Sequence, residues 1–229
     1  MKRFLVPVLV FIVLAPTEKA FSLFGVGAYY VSDPISVAEG TDGTAPIMLV
    51  RNGFDGARGG GLFIYVDALP FIDLEANIET GFNKYQFEFD NAISELPPVD
   101  FGWARVSTYL TARKKVVGFG VPVLGGARIN AGGGYNFHSS TPLADLDMVK
   151  ELLGGNLTAS FEADDLEDNL VDYLKENKID GSGFHLQAGI QAKLLTLNLF
   201  VNYRLTFAKD VVPDESSFSS LWAGLAFGM

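Results

Sequence analysis

The chain of 229 residues contains no cysteine. Disulfide frameworks, thiolate nucleophiles and cysteine-based zinc sites are therefore excluded. Histidine is almost as scarce, with only His138 and His185, so imidazole chemistry has few places to sit. Positive charge is in deficit: 17 Lys and Arg face 27 Asp and Glu, for a net charge of −10. That balance argues against a nucleic-acid partner. A long apolar helix is missing too. Hydrophobic residues make up 48% of the chain and mean hydropathy is +0.24, yet no run approaches the ~20 apolar residues that a membrane-spanning helix needs. No metal-ligand spacing or cofactor motif is present. Gly132-Gly133-Gly134 is no phosphate loop, because no helix follows it directly; it suits strand curvature or close packing instead.

What is present begins with an export signal. Lys2 and Arg3 precede an apolar stretch from Phe4 to Ala15, and Ala20-Phe21-Ser22 places small residues at a cleavage site before Leu23. A positive start, a short apolar core and a small-residue exit define a secretory signal peptide, so residues 1–22 are predicted to be removed and residues 23–229 to form one domain. Removal takes three basic groups and one acid, leaving 14 against 26 and a net charge of −12.

Beyond Leu23 apolar residues recur at every second position, the strand period. In 72–82, Ile72, Leu74, Ala76, Ile78 and Phe82 share one face while Asp73, Glu75, Asn77 and Glu79 share the other. Segments 102–113, 123–137, 184–194 and 197–207 repeat the pattern, and 24–31, 61–69 and 218–229 complete a set of eight. Short connections at Leu69-Pro70, Val117–Gly120 and Leu195-Thr196 alternate with long links at 32–60, 90–100, 138–182 and 208–217. Short turns on one side and long loops on the other suit an up-and-down barrel. Aromatic residues gather at segment ends. One end holds Tyr29, Tyr30, Phe82, Phe101, Trp103, Tyr135, Phe137, Phe184, Phe207 and Phe218, and the other holds Phe24, Phe71, Phe119 and Phe227, as expected of rings at two membrane interfaces.

On these features residues 23–229 resemble the bacterial outer-membrane β-barrel proteins, most of all the small eight-stranded members. The resemblance implies an all-β, eight-stranded antiparallel transmembrane barrel in the outer membrane of a Gram-negative cell envelope. Its implied partners are outer-membrane lipids and the barrel assembly machinery, and it implies no cofactor. It also implies a C-terminal assembly signal at Gly224, Phe227 and Met229, with Trp222 in the slot that is usually polar and Met in place of the common terminal Phe.

Spanning strands must close so that every backbone group is paired, which sends the apolar face to lipid and the polar face inward. The inward ionisable set is then Asp67, Asp73, Glu75, Glu79, Arg105, Arg113, Arg128, His185, Lys193 and Arg204. Mixed signs predict ion pairs that fill a narrow interior. A register with Asn77 opposite Tyr109 places Asp73 opposite Arg113, and Arg105 one diagonal step from Glu79. In the long link 138–182, Thr141-Pro142 resembles a helix start, with Leu143, Leu146, Val149 and Leu153 at helical spacing. A second amphipathic stretch sets Phe161, Leu166, Leu170 and Leu174 against Asp164, Asp165, Glu167, Asp168, Asp172 and Glu176. Short helices over the barrel mouth are expected there; their acidic face reads first as a solvated surface, with divalent-cation binding or a surface partner as the alternatives. Pro46–Val50 reads as a possible strand extension above the membrane.

Function is less legible. The leading expectation is a structural, adhesive or ligand- or partner-binding surface protein without catalysis. The alternatives are a porin-like transport protein for small or hydrophobic solutes, a soluble exported ligand-binding barrel, and a lipid-modifying enzyme built on His138 with Ser140. Strict alternation points His138 inward, and no acid is placed to orient it, which disfavours the last.

Overall fold

The computed structural model describes residues 23–67, 69, 71–91, 95–121, 124–158 and 163–229. The predicted signal segment, Pro70, Val123 and Phe161 lie outside the described residues. Among the described residues ten strands and two helices follow in order: β1 (Phe24–Val37), β2 (Gly40–Thr44), β3 (Ile47–Arg51), β4 (Phe54–Val66), β5 (Asp73–Asp90), β6 (Glu95–Val121), β7 (Gly125–Ser140), α1 (Leu146–Leu152), α2 (Ala163–Glu176), β8 (Ile179–Leu194), β9 (Leu197–Phe207) and β10 (Ser217–Gly228).

Eight of the strands form a closed antiparallel ring, β5-β4-β1-β10-β9-β8-β7-β6, with β6 returning to β5. The seam between first and last strands runs from Gly25 opposite Gly228 to Ser32 opposite Leu221. Its fit depends on Gly224, where a Cβ would lie 2.6 Å from Tyr29 Cβ and 2.7 Å from the Ala28 carbonyl oxygen. On β7, Gly134 allows a similar approach, since a Cβ there would meet the Leu110 carbonyl oxygen.

The faces are inverted relative to a soluble protein. Ile72, Leu186 and Leu199 are 44%, 56% and 47% exposed, whereas Glu75 and Arg105 are 3% and 1% exposed. The outward belt is the apolar set of alternating positions, and the inward set is polar. Phe24, Phe71, Phe119 and Phe227 ring the end with short turns, while Tyr30, Phe82, Tyr135, Phe137 and Phe184 ring the other, all exposed. Tyr29, Phe101, Trp103 and Phe218 depart from the expected girdle, because their parity turns them inward and they are buried.

Several boundaries differ from the sequence reading. Strands β5 and β6 continue past the expected link at 90–100 and pair as far as Asp90 with Glu95. Strand β6 runs through the expected turn at 117–120 as far as Val121, and β7 begins at Gly125. The link 32–60 contains the hairpin β2–β3, which adds to the outer part of β5 through Met48–Arg51. Above the lipid belt the strand period persists but its polarity swaps. In β5 the inward residues change from Asp73, Glu75, Asn77 and Glu79 to Tyr85, Phe87 and Phe89, while Lys84, Gln86 and Glu88 face out. The outer surroundings change there from acyl chains to water, so the apolar face moves from outside to inside.

Candidate functional site

The lumen within the membrane belt is filled by two linked ionic clusters. In the upper one Glu79 is the hub. Its Oε1 accepts from Arg105 Nη2 at 2.8 Å, and its Oε2 accepts from Arg204 Nη1 at 2.9 Å and from the Tyr29 hydroxyl. Arg105 also donates from Nε and Nη2 to Asp33 Oδ2 at 2.9 and 2.6 Å. Arg204 lies over the Tyr109 ring, 3.6 Å from its centroid, and donates through Nε to Gln187 Oε1 at 3.1 Å. In the lower cluster Arg113 reaches Asp67 at 2.9 Å and Glu75 at 3.0 Å. Arg128 contacts Asp67 and, at 3.3 Å, Asp73. Burial of these charges is costly unless each is paired and hydrogen-bonded. The alternation of signs around the ring gives each of them a partner of opposite charge.

The structure thus brings together Asp73, Glu75, Glu79, Arg105, Arg113, Arg128 and Arg204 on inward positions of neighbouring strands. The register places Asn77 opposite Tyr109, Asp73 opposite Arg113 and Gly81 opposite Arg105. Asp73 nonetheless pairs with Arg128, because Asp67 and Glu75 occupy the Arg113 guanidinium. Asp33 was missed, since the first segment was read only to residue 31. Its signal was parity: it continues the inward series Gly25, Gly27, Tyr29 and Val31. The aromatic half of the lumen was missed too. Tyr29, Phe63, Tyr65, Phe200 and Trp222 pack against one another inside the ring.

Above the ions, the outer end carries a conventional apolar core. Ile35, Val37, Leu49, Phe54, Tyr85, Phe87, Phe89, Phe101 and Trp103 from the strands pack with Met148, Val149 and Leu152 of α1, Tyr173 of α2, and Val211 and Val212 of the last outer loop. The mouth is tied by hydrogen bonds from Ala144 N to the Tyr85 hydroxyl (2.8 Å) and from Leu146 N to Asp42 Oδ2 (2.9 Å). Helix α1 begins at Leu146 rather than after Thr141, because Asp145 is its cap, accepting from Met148 N at 2.7 Å. The acids Asp172 and Glu176 of α2 face solvent; the side chains of Asp164, Asp165, Leu166, Glu167 and Asp168 lie outside the described residues. Burial holds the Tyr85 phenol above its ordinary range. Burial, aided by Asp145, Glu151 and Asp147, pushes Tyr173 up to about 12. At the rim, the hydrogen bonds from Lys178 and Ser139 hold the Asp180 carboxyl below its usual range.

His138 does not partner Ser140. Its Nδ1 lies 2.7 Å from Ser107 Oγ, and its Nε2 donates to Asn136 Oδ1 at 2.8 Å. The order Ser–His–Asn has the connectivity of a nucleophilic relay. Ser107 is fully buried, however, and its oxygen also accepts from the Arg105 guanidinium. It faces the packed lumen, away from lipid and beneath the apolar cap. His185 is likewise interior, 2.9 Å from Thr111 Oγ1. No group of three or more His, Asp or Glu suited to a metal ion occurs among the described residues.

At the C-terminus, Gly224 is inward at the seam and Phe227 and Met229 are exposed on the outer surface. Trp222 is buried against Tyr29, 4.7 Å between ring centroids. The indole thus packs across the seam between the first and last strands.

A closed ring of eight antiparallel strands with an apolar exterior, an ionic interior and aromatic residues at both rims defines a small transmembrane β-barrel of the outer-membrane type. No protein-family model and no curated protein matches the chain. Among solved structures the chain is similar to Ail, the attachment invasion locus protein of Yersinia pestis, in complex with the heparin analogue sucrose octasulfate. That match has 10% identity, covers 90% of this chain and 97% of that one, and has a TM-score of 0.42. It is also similar to the outer membrane protein OprG from Pseudomonas aeruginosa (10% identity, 90% and 92% covered, TM-score 0.45) and to Neisserial surface protein A (15%, 91% and 98%, TM-score 0.38). The class itself follows from the ring and its inverted faces.

Proposed function

We propose that the chain is an integral outer-membrane protein with neither channel nor catalytic activity, which presents its outer end as a rigid, acidic surface for partners. The observation that carries this reading is the double occlusion of the lumen, first by the ionic clusters and then by the apolar cap. Mixed, mutually paired charges in the interior favour filling over ion selection, since a selective pore presents one sign of charge. The outer surface supplies the interaction face. Glu88, Asp100, Asp147, Glu151, Asp172 and Glu176 are exposed there on elements braced by a shared core. A partner attracted to that face is cationic, and its association weakens with salt.

Reconstitution into planar bilayers tests the reading. The folded protein leaves conductance at the bare-bilayer level under all applied voltages; reproducible unitary steps refute the occlusion. In a companion binding assay, polylysine associates at low ionic strength and is released by salt, whereas sucrose octasulfate does not associate. Preferential binding of the polyanion refutes the acidic-surface reading.

A further inference from the structure

Two cations on the outward face of the wall at the outer rim have no acidic partner among the described residues. Arg58 on β4 is directly opposite Phe82 on β5, so it shares the outward face with a ring of the upper aromatic girdle. Lys84 is the next outward residue of β5, opposite Gly102 of β6, over whose missing side chain the Phe82 ring lies. Both are exposed, and neither forms an ion pair among the described residues. With Asp55, Gly56, Ala57, Phe82 and Asn83 they line a cavity of about 350 Å³. Its floor is fixed, because Asn83 Nδ2 donates to the carbonyl oxygens of Asp55 (3.0 Å) and Gly56. Its one carboxylate, Asp55, already accepts from the Ser36 hydroxyl at 2.7 Å.

Height and charge together identify the occupant. Phe82 marks the level where acyl chains give way to headgroups, and Arg58 and Lys84 flank it on the outward face of the wall, at headgroup height. A guanidinium beside an ammonium suits phosphate oxygens, the former through paired N–H donors and the latter as a point charge. The acidic surface above repels free polyanions arriving from solution, while a phosphate anchored in the membrane reaches the cavity laterally. We propose that Arg58 and Lys84 form a docking site for the phosphorylated headgroup of an outer-leaflet lipid, fixing the barrel's rotational contact with its membrane. This rests on the outer-membrane reading above.

Native mass spectrometry of the protein folded in detergent micelles, titrated with bisphosphorylated lipid A, tests the site. The wild type retains this lipid about tenfold more tightly than its dephosphorylated form, a ratio equivalent to two surface charge-assisted contacts. Arg58→Ala/Lys84→Ala abolishes the preference, whereas Lys150→Ala/Lys175→Ala, which removes equal charge from the helices, preserves it. Equal binding of the two lipids, an unchanged preference in the rim variant, or equal loss in the helix variant overturns the proposal. So does displacement of the lipid by equimolar pyrophosphate, which would make free phosphate the ligand. Heat-shifted gel mobility is read in parallel on every sample. Wild type without that shift overturns the barrel reading and this site with it, whereas folded protein without phosphate preference overturns this site alone.

Discussion

Removing the carboxylate of Glu79 should cost far more than removing an average polar residue, and the excess should trace to one arginine. In Glu79→Ala, Arg105 keeps Asp33 at 2.6 Å. Arg204 loses its only ion-pair partner among the described residues and retains Gln187 and the face of Tyr109. Breaking one side of a buried pair costs about 3–5 kcal/mol, because the surviving charge stays desolvated. Replacing both sides with apolar groups is far cheaper, so Glu79→Ala/Arg204→Met should lie within about 2 kcal/mol of wild type, with the methionine seated between Tyr109 and Trp222. Adding Arg204→Met to Glu79→Ala should therefore recover about 2 kcal/mol, well beyond the ~0.5 kcal/mol within which independent sites add. Glu79→Gln, which keeps shape and one acceptor, should fall between. Urea titration of protein folded into phosphatidylcholine vesicles, followed by tryptophan fluorescence, measures all four; Trp222 reports directly from beside Tyr29. A single variant within about 0.5 kcal/mol of wild type, or a double variant no better than Glu79→Ala, would refute the account of the lumen as a charge-compensated filling.

Other substitutions probe the remaining layers. Gly224→Val forces side-chain atoms into Tyr29 and should destabilise the closed barrel by about 1–3 kcal/mol, seen as a lower urea midpoint. By contrast Phe227→Ala together with removal of Met229 should slow assembly in cells while leaving the refolded barrel's midpoint nearly unchanged, if these residues act as an assembly signal. Leu186→Arg, on the lipid face, should cost about 2–4 kcal/mol near the membrane midplane in the same titration. Asp145→Ala should weaken α1 by about 1 kcal/mol and hasten protease cleavage in the loop between β7 and β8. A fluorophosphonate probe should leave Ser107 unlabelled in the folded protein, and labelling there, read by peptide mass spectrometry, would reopen the enzymatic reading.

The membrane part of the fold was legible because lipid enforces a strict rule, apolar out and polar in, over eleven-residue stretches such as 72–82. From that rule even the register of β5 with β6 could be written down, and with it the approach of Arg105 to Glu79. Legibility failed where the rule changes sign. In Asn83–Asp90 the alternation is as regular as below, but Tyr85, Phe87 and Phe89 now carry the apolar face inward, and a reader following one phase ends the strand at the swap. The same swap hides Trp103 and Phe101 on β6 and turned them into expected girdle residues. Asp33 and Phe200 were obscured differently. A single acid above a weak segment and a single ring among asparagines carry no periodic signal, and only closure of the ring shows what each faces. For the outer helices spacing was informative but their start was not, because Thr141-Pro142 offers a plausible cap four residues before the one that Asp145 supplies.

The apolar cap draws side chains from six strands, both helices and the last outer loop, which binds those segments into one cooperative body. Diversification of such a surface cannot proceed by exchanging whole loops, since each carries part of its neighbours' foundation; it is confined to outward side chains and to the few positions where a side chain would meet nothing. Gly154 and Gly155, both at positive φ and with open space where side chains would stand, are such a place. A foreign epitope spliced between them should be displayed without loosening the scaffold beneath.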